Sequence, residues 1–81
     1  MMDPQQIKNW IEAGLPGATI EVDGDGHHFQ ALIVSSAFEG KSLIERQRMV
    51  KALLREQFDS GALHALSMRT LTPEQWASER S

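Results

Sequence analysis

The sequence predicts an α+β fold: a three-stranded mixed sheet with helices packed on one face, in the order α-β-β-α-β-α. Stretches with helical spacing of apolar residues begin at capping residues, an alternating stretch ends in a glycine-rich turn, and the stretch after that turn is apolar on both faces. The chain has 81 residues, which suits one small domain over residues 1–81 with a thin core.

The first helix is predicted to begin at Pro4. Asp3 is a good N-cap, Pro4 suits the first helical position, and Gln6 completes a capping box. Apolar residues at i, i+3 and i+4 spacing follow, so one face of this helix should be buried. Gly14 is a natural left-handed stop, and "LPG" turns the chain towards the first strand.

Two strands joined by a tight hairpin are expected next. "ATIEVD" (residues 18–23) alternates between apolar and polar residues, which is typical of a half-buried strand. "DGDG" (residues 23–26) supplies residues that tolerate a positive φ, as a tight turn requires. "HHFQALIVS" (residues 27–35) is the return strand. Because its centre is apolar on both faces, we place it in the middle of the sheet.

A long helix is predicted within "FEGKSLIERQRMVKALLREQF" (residues 38–58). Ser42 and Glu45 form an S-x-x-E capping box at its start. Its buried stripe is expected to contain Leu43, Val50, Leu53, Leu54 and Phe58.

The remaining segments predict a third strand and a last helix. "LHALSMRTL" (residues 63–71) is the strand, and Thr72 followed by Pro73 opens the helix. A right-handed crossover from the second strand makes the third strand parallel to it. Neighbouring parallel strands begin at the same edge of a sheet, about 4.8 Å apart. Since His28 starts one strand and His64 starts the other, their imidazoles could meet a single metal centre.

The composition excludes several classes of protein. The chain has no cysteine, which excludes a disulfide framework, a thiolate nucleophile and an all-protein zinc or iron–sulfur cage. Its apolar runs are too short to span a bilayer, so we expect a soluble, cytoplasmic protein without membrane contact. We find no nucleophile–base pair, phosphate-binding loop or paired carboxylates, and predict that the protein is not an enzyme.

Positive charge is concentrated in one part of a chain whose net charge is −3. Five of the eight Lys and Arg residues lie within fifteen positions: Lys41, Arg46, Arg48, Lys51 and Arg55. Because Glu45 and Glu56 are interleaved, this stretch is either a solvated helix face or a docking patch for an acidic partner.

Three motifs together resemble the BolA family. "FEGKSLIERQRMV", "LHALS" and "TPEQWA" carry the likeness, which extends from Asp3 to about Glu79, and "GDGHHFQ" is most similar to the acid-stress-associated IbaG branch. The resemblance implies a class II KH-like (BolA-like) fold. It also implies a non-enzymatic adaptor in iron–sulfur cluster trafficking or iron homeostasis, which shares a [2Fe–2S] cluster with a monothiol glutaredoxin and its glutathione.

The resemblance also implies the ligands of that cluster. The histidine of the "HAL" motif is a ligand in the family, and here it is His64. A second ligand comes from the hairpin before the second strand, where His27 and His28 are the candidates. We favour His28 slightly, because His27 shares the side of the apolar Phe29. The chain departs from the family in two places: Gln47 replaces the histidine of an R-H-R motif, and the hairpin lacks a separate ligand.

The alternative function is a nucleic-acid-binding transcriptional regulator of the stress response. It would use the KH-like fold and the basic residues between Lys41 and Arg55. The acidic composition and the lack of a G-x-x-G loop oppose it, so any such binding should be weak and salt-dependent. We expect the isolated chain to be a monomer or a weak homodimer.

Overall fold

The computed structural model describes residues 2–80, which form three strands and four helices. The strands are β1 (Thr19–Gly24), β2 (His28–Val34) and β3 (Ala65–Leu71), and the helices are α1 (Pro4–Gly14), α2 (Leu43–Leu53), α3 (Arg55–Asp59) and α4 (Pro73–Arg80). A 3-10 turn at Ser36–Phe38 joins β2 to α2. The predicted order of elements is confirmed, except that the long helix is divided into α2 and α3.

The three strands form one mixed sheet in the order β1-β2-β3. β1 is antiparallel to β2, with Thr19 opposite Val34. β3 is parallel to β2, with His28 opposite Ala65. The central position of β2 and the parallel crossover are therefore confirmed, and both parallel strands begin at the same edge of the sheet.

Capping boxes fix the starts of α1 and α2 as predicted. The Asp3 side chain accepts from the Gln5 backbone N–H at 2.9 Å, while Gln6 accepts from the Asp3 backbone. In α2 the Ser42 hydroxyl and the Glu45 carboxylate make the same reciprocal pair, at 3.1 and 2.9 Å. Each cap is worth about 1 kcal/mol, because it satisfies backbone donors that the helix itself leaves unpaired.

The hydrophobic core lies between one face of the sheet and the helices α1 and α2. Alternate residues of β2 supply its centre: Phe29, Ala31 and Ile33. The other members of the cluster are Ile7, Ile11, Leu15, Ile20, Phe38, Val50, Leu54 and Leu63. The prediction that helices pack on one face holds for α1 and α2, which bury their apolar residues there.

The last helix adds contacts on the opposite face of the sheet. Val34, which alternates with the core residues of β2, is buried but lies outside the core cluster. It lines a small cavity together with Pro73 and Trp76 of α4. Arg69, on the same face of β3, pairs with Glu79. α4 therefore covers this face where β2 ends at Val34 and leaves it open near the β1–β2 hairpin.

The predicted buried stripe of the long helix is confirmed in part. Val50 and Leu54 are fully buried, and Leu53 and Phe58 pack against the core. Leu43, however, is 65% exposed, so its predicted burial is wrong. Leu43 lies against residues 68–71 of β3 in an open groove instead of entering the core.

Gly24 ends β1 at a point where a side chain has no room. A Cβ atom at this position would lie 2.6 Å from the His28 carbonyl oxygen and closer still to the Phe29 ring. We expect Gly24→Ala to lower the free energy of unfolding by about 1–3 kcal/mol, because the backbone of the hairpin must shift. Urea denaturation measures this effect. The exposed Glu21→Ala on the same strand should stay within about 0.5 kcal/mol of wild type, and an equal loss for both variants would contradict the steric explanation.

Candidate functional site

The β1–β2 hairpin is closed by the side chain of Asp25. Its carboxylate accepts from the backbone N–H groups of His27 and His28, both at 2.9 Å. The Asp25 N–H in turn donates to the His28 carbonyl at 3.3 Å. Gly26 has a φ of 99°, a conformation that L side chains rarely adopt. The turn therefore holds the backbone of both histidines in place and leaves their imidazoles exposed.

The hydrogen bonds from the hairpin backbone also change the pKa of the Asp25 carboxyl. The backbone N–H of His28, followed by that of His27, stabilises the carboxylate and lowers the pKa of Asp25. Because the folded-state pKa is below the unfolded-state value, the stabilisation is present above the unfolded-state pKa. It is lost as the pH falls through the folded-state pKa.

We expect Asp25→Ala to loosen the hairpin at neutral pH, because two backbone donors lose their acceptor. Amide hydrogen exchange at His27 and His28 should become faster in the variant. The difference in unfolding free energy between wild type and variant should shrink as the pH falls into the acid range, since wild-type Asp25 is then protonated. A difference that does not change with pH would contradict this account of the turn.

His64 lies directly before β3, on a segment that is anchored from both sides. Leu63 is 1% exposed, and its backbone N–H donates to the Gln57 carbonyl at 2.9 Å. Ala65 begins β3 opposite His28. The His64 side chain is exposed between these two fixed neighbours. Its backbone position is therefore set by core packing and by the sheet.

The strand register brings all three histidines to one edge of the sheet, namely the end at which β2 and β3 begin, as the sequence predicts. Backbones of neighbouring strands are about 4.8 Å apart, so the hairpin and the His64 segment are adjacent. His28 is level with Ala65, and His27 and His64 are the residues directly before these two, outside the strands. Within β2, His28 shares a side with Gln30.

The donor set of this edge is small. Among residues 2–80, no three or more His, Asp or Glu side chains are grouped so that they could hold a metal ion. The chain also has no cysteine. This edge thus offers imidazole nitrogens, which suit iron, copper, zinc or nickel. Any centre bound here must take its remaining ligands from another molecule.

Arg46 differs from the other cations of the basic stretch, because its side chain is used inside the fold. It is 6% exposed, so it does not belong to the exposed basic face that the sequence predicts. Its guanidinium donates to the carbonyls of Lys41 and Thr70 and to the Gln75 side chain, each at 3.0 Å. It also lies 5.8 Å from the centre of the Phe38 ring. The spacing of Arg46 to the buried Val50 and Leu54, one and two turns on, is the signal that sequence reasoning missed.

The other members of the basic stretch are exposed. Arg55 pairs with Asp59 at 3.6 Å, but both side chains are solvated and the pair contributes little. Lys41, Arg48 and Lys51 make no ion pair with any residue in the range 2–80. No helix in that range is long and apolar enough to cross a membrane.

Comparison with known proteins relates this chain to one family. The profile of the BolA family, described as BolA-like protein, matches residues 12–75. Acid stress protein IbaG of Escherichia coli K12 is 33% identical over 79 residues, which cover 98% of this chain and 94% of that protein.

Two solved structures have the same fold. A bolA protein homologue from Coxiella burnetii superposes with a TM-score of 0.85 at 38% identity, covering 95% of this chain and 99% of that chain. The BolA domain of SufE1 from Arabidopsis thaliana gives a TM-score of 0.78 at 36% identity, covering 88% of this chain and 92% of that chain.

Proposed function

Because the chain belongs to the BolA family, we propose that it is a non-enzymatic adaptor that shares a [2Fe–2S] cluster with a monothiol glutaredoxin. The cluster is the cargo of the pair, in iron–sulfur cluster trafficking or iron homeostasis. One observation carries the proposal: the hairpin histidines and His64 lie side by side at one edge of the sheet.

The chemistry of the edge fits half of such a cluster. Two histidines replace two thiolates on one iron of Rieske centres, so a pair of imidazoles is an adequate donor set for one iron. We assign His64 as one ligand and a hairpin histidine as the other. The remaining ligands would be the glutaredoxin cysteine and glutathione, since this chain contributes no thiolate.

We prefer His27 over His28 as the hairpin ligand. Both His27 and His64 directly precede the first residue pair of β2 and β3, which is His28 with Ala65. This is the reverse of the order that the sequence favours. Asp25 restrains both backbones, so whichever imidazole binds does so from a restrained turn.

The surroundings of the edge suit exchange with a partner rather than catalysis. The three histidines are exposed on a rim of the sheet. A cluster bound there would be reached directly by a second protein. The chain's contribution would be to hold two imidazoles at a fixed spacing while the partner supplies the thiolates.

The experiment that tests the proposal is a titration of a cluster-loaded monothiol glutaredoxin with this protein. We expect a heterodimer on size exclusion, and visible absorption and circular dichroism spectra that change up to equimolar addition. The matched control replaces His27, His28 and His64 together with alanine. A heterodimer whose spectra equal those of loaded glutaredoxin would reduce the proposal to protein–protein contact without shared ligation.

A further inference from the structure

The start of α2 carries an apolar surface that the fold leaves uncovered. Leu43 and Ile44 are 65% and 61% exposed, and they are the two large hydrophobic residues that are exposed among residues 2–80. Leu43 contributes to a groove of about 290 Å³ between α2 and β3, which is also lined by Gln47 and by residues 68–71. We call this region the α2–β3 groove.

One wall of the groove is the outer side of β3, the side that faces away from β2. The Leu71 carbonyl accepts from Ser35 on the β2 side, while the Thr70 carbonyl accepts from Arg46 on the other side. Because backbone groups of successive residues in a strand point to alternate sides, the N–H and C=O groups of Leu66 and Met68 also point outwards. No other strand of the described chain pairs with them. This edge can therefore accept an additional strand along Leu66 and Met68, short of Thr70, whose carbonyl is already bound by Arg46.

The charge around the groove is positive in an otherwise acidic protein. Arg48 and Lys51 follow Ile44 at positions i+4 and i+7, so they extend the same exposed side of α2. Lys41 precedes the helix, and none of the three has an ion-pair partner among residues 2–80. The Ser42 backbone N–H lowers the pKa of the Glu45 carboxyl, and the charges of Lys41 and Arg48 lower it further, so this carboxylate offsets part of the positive charge.

We propose that the α2–β3 groove binds an extended peptide segment that carries acidic side chains and one apolar anchor residue. The peptide backbone pairs with β3 as a fourth strand, the apolar residue packs against Leu43 and Ile44, and the acidic residues lie near Arg48 and Lys51. The groove is at the Leu71 end of β3, whereas the paired stretch of the edge begins at Leu66, two residues after His64. The inference goes beyond the proposed function, because it assigns a ligand to α2 and the outer edge of β3 rather than to the histidines.

Two other occupants fit the surface less well. Nucleic acid would find cations but no exposed aromatic residue on which bases could stack, and its phosphates cannot pair with the backbone carbonyls of the edge. A second copy of this chain, paired through β3 about a two-fold axis, would bring two sets of Arg48 and Lys51 together. An acidic peptide can form hydrogen bonds with the backbone of β3 and can also place carboxylates near Arg48 and Lys51.

The test uses two short synthetic peptides. In the first, valine and leucine alternate with glutamate; in the second, they alternate with lysine. Amide chemical shifts of the isotope-labelled full-length protein report where each one binds. We expect the glutamate peptide to shift the amides of Leu66 and Met68, with no change at β1, and the lysine peptide to have no effect. Equal effects of the two peptides, or shifts confined to β1, would overturn the proposal.

Variants and a competing ligand complete the test. The double substitution Arg48→Glu and Lys51→Glu should weaken binding of the glutamate peptide roughly tenfold or more, whereas Lys8→Glu on α1 should not. If a single-stranded oligonucleotide produces the β3 shifts and the peptide does not, or if the protein dimerises through β3, the assignment is wrong. The double variant should still change the spectra of loaded glutaredoxin, so failure here is distinct from failure of the proposed function.

Discussion

In the proposed complex with a monothiol glutaredoxin, His64→Ala is expected to remove most of the shared cluster, with roughly a tenfold or greater loss of its apparent stability. His64 is exposed, so the variant should fold normally, while one iron loses an imidazole ligand. The backbone on either side is fixed by the buried Leu63 and by β3, and neither Leu63 nor Ala65 carries a side-chain nitrogen. Visible circular dichroism of the complex, followed during transfer to a chelator, measures the loss.

The two hairpin histidines provide matched controls for His64. We expect His27→Ala and His28→Ala each to have a smaller effect than His64→Ala, because the remaining hairpin imidazole can substitute for the missing one. The register predicts that His27→Ala has the larger effect of the two. A His64→Ala complex with wild-type spectra would show that the chain does not bind the cluster through His64.

Arg46→Ala is expected to lower the free energy of unfolding by about 3 kcal/mol, a large share of the stability of a domain of this size. The substitution leaves the Thr70 carbonyl without its partner at the sheet edge and removes a bond to Gln75, whose side chain also caps the start of α4. One side chain thus ties α2, β3 and α4 together. Urea denaturation followed by tryptophan fluorescence measures the change.

Arg48→Ala is the control for Arg46→Ala. It lies two residues further along α2, is exposed and makes no ion pair within residues 2–80, so the expected change is within about 0.5 kcal/mol. Arg46→Lys should recover only part of the loss, because an ammonium group cannot replace the planar guanidinium at three acceptors. Equal stability of the Arg46→Ala and Arg48→Ala proteins would contradict the structural role of Arg46.

The features that could be predicted from the sequence are those decided by local chemistry. The capping boxes at Asp3 and Ser42, the hairpin at "DGDG" and the alternation of β1 depend on residues close together in the chain. The parallel pairing of β2 and β3 followed from the handedness of one crossover. For the same reason the sequence placed His28 and His64 at one edge of the sheet.

The features that the sequence did not predict depend on what lies opposite a residue in space. Helical spacing places Leu43 beside the buried side of α2, but only the folded chain shows that it is 65% exposed in an open groove against β3. Arg46 is charged, and its burial requires acceptors from Thr70 and Gln75, which are 24 and 29 residues away. The register, which pairs His28 with Ala65 rather than with His64, is likewise a property of the paired strands.

The measurement that tests the central claim most directly is pulsed electron paramagnetic resonance of the reduced heterodimer, with nitrogen-15 histidine in this chain only. The account predicts a coupling from imidazole nitrogen of this protein to the cluster, present in wild type and strongly reduced in His64→Ala. A spectrum that does not change when the label is introduced would contradict it, because no histidine of this chain would then bind iron.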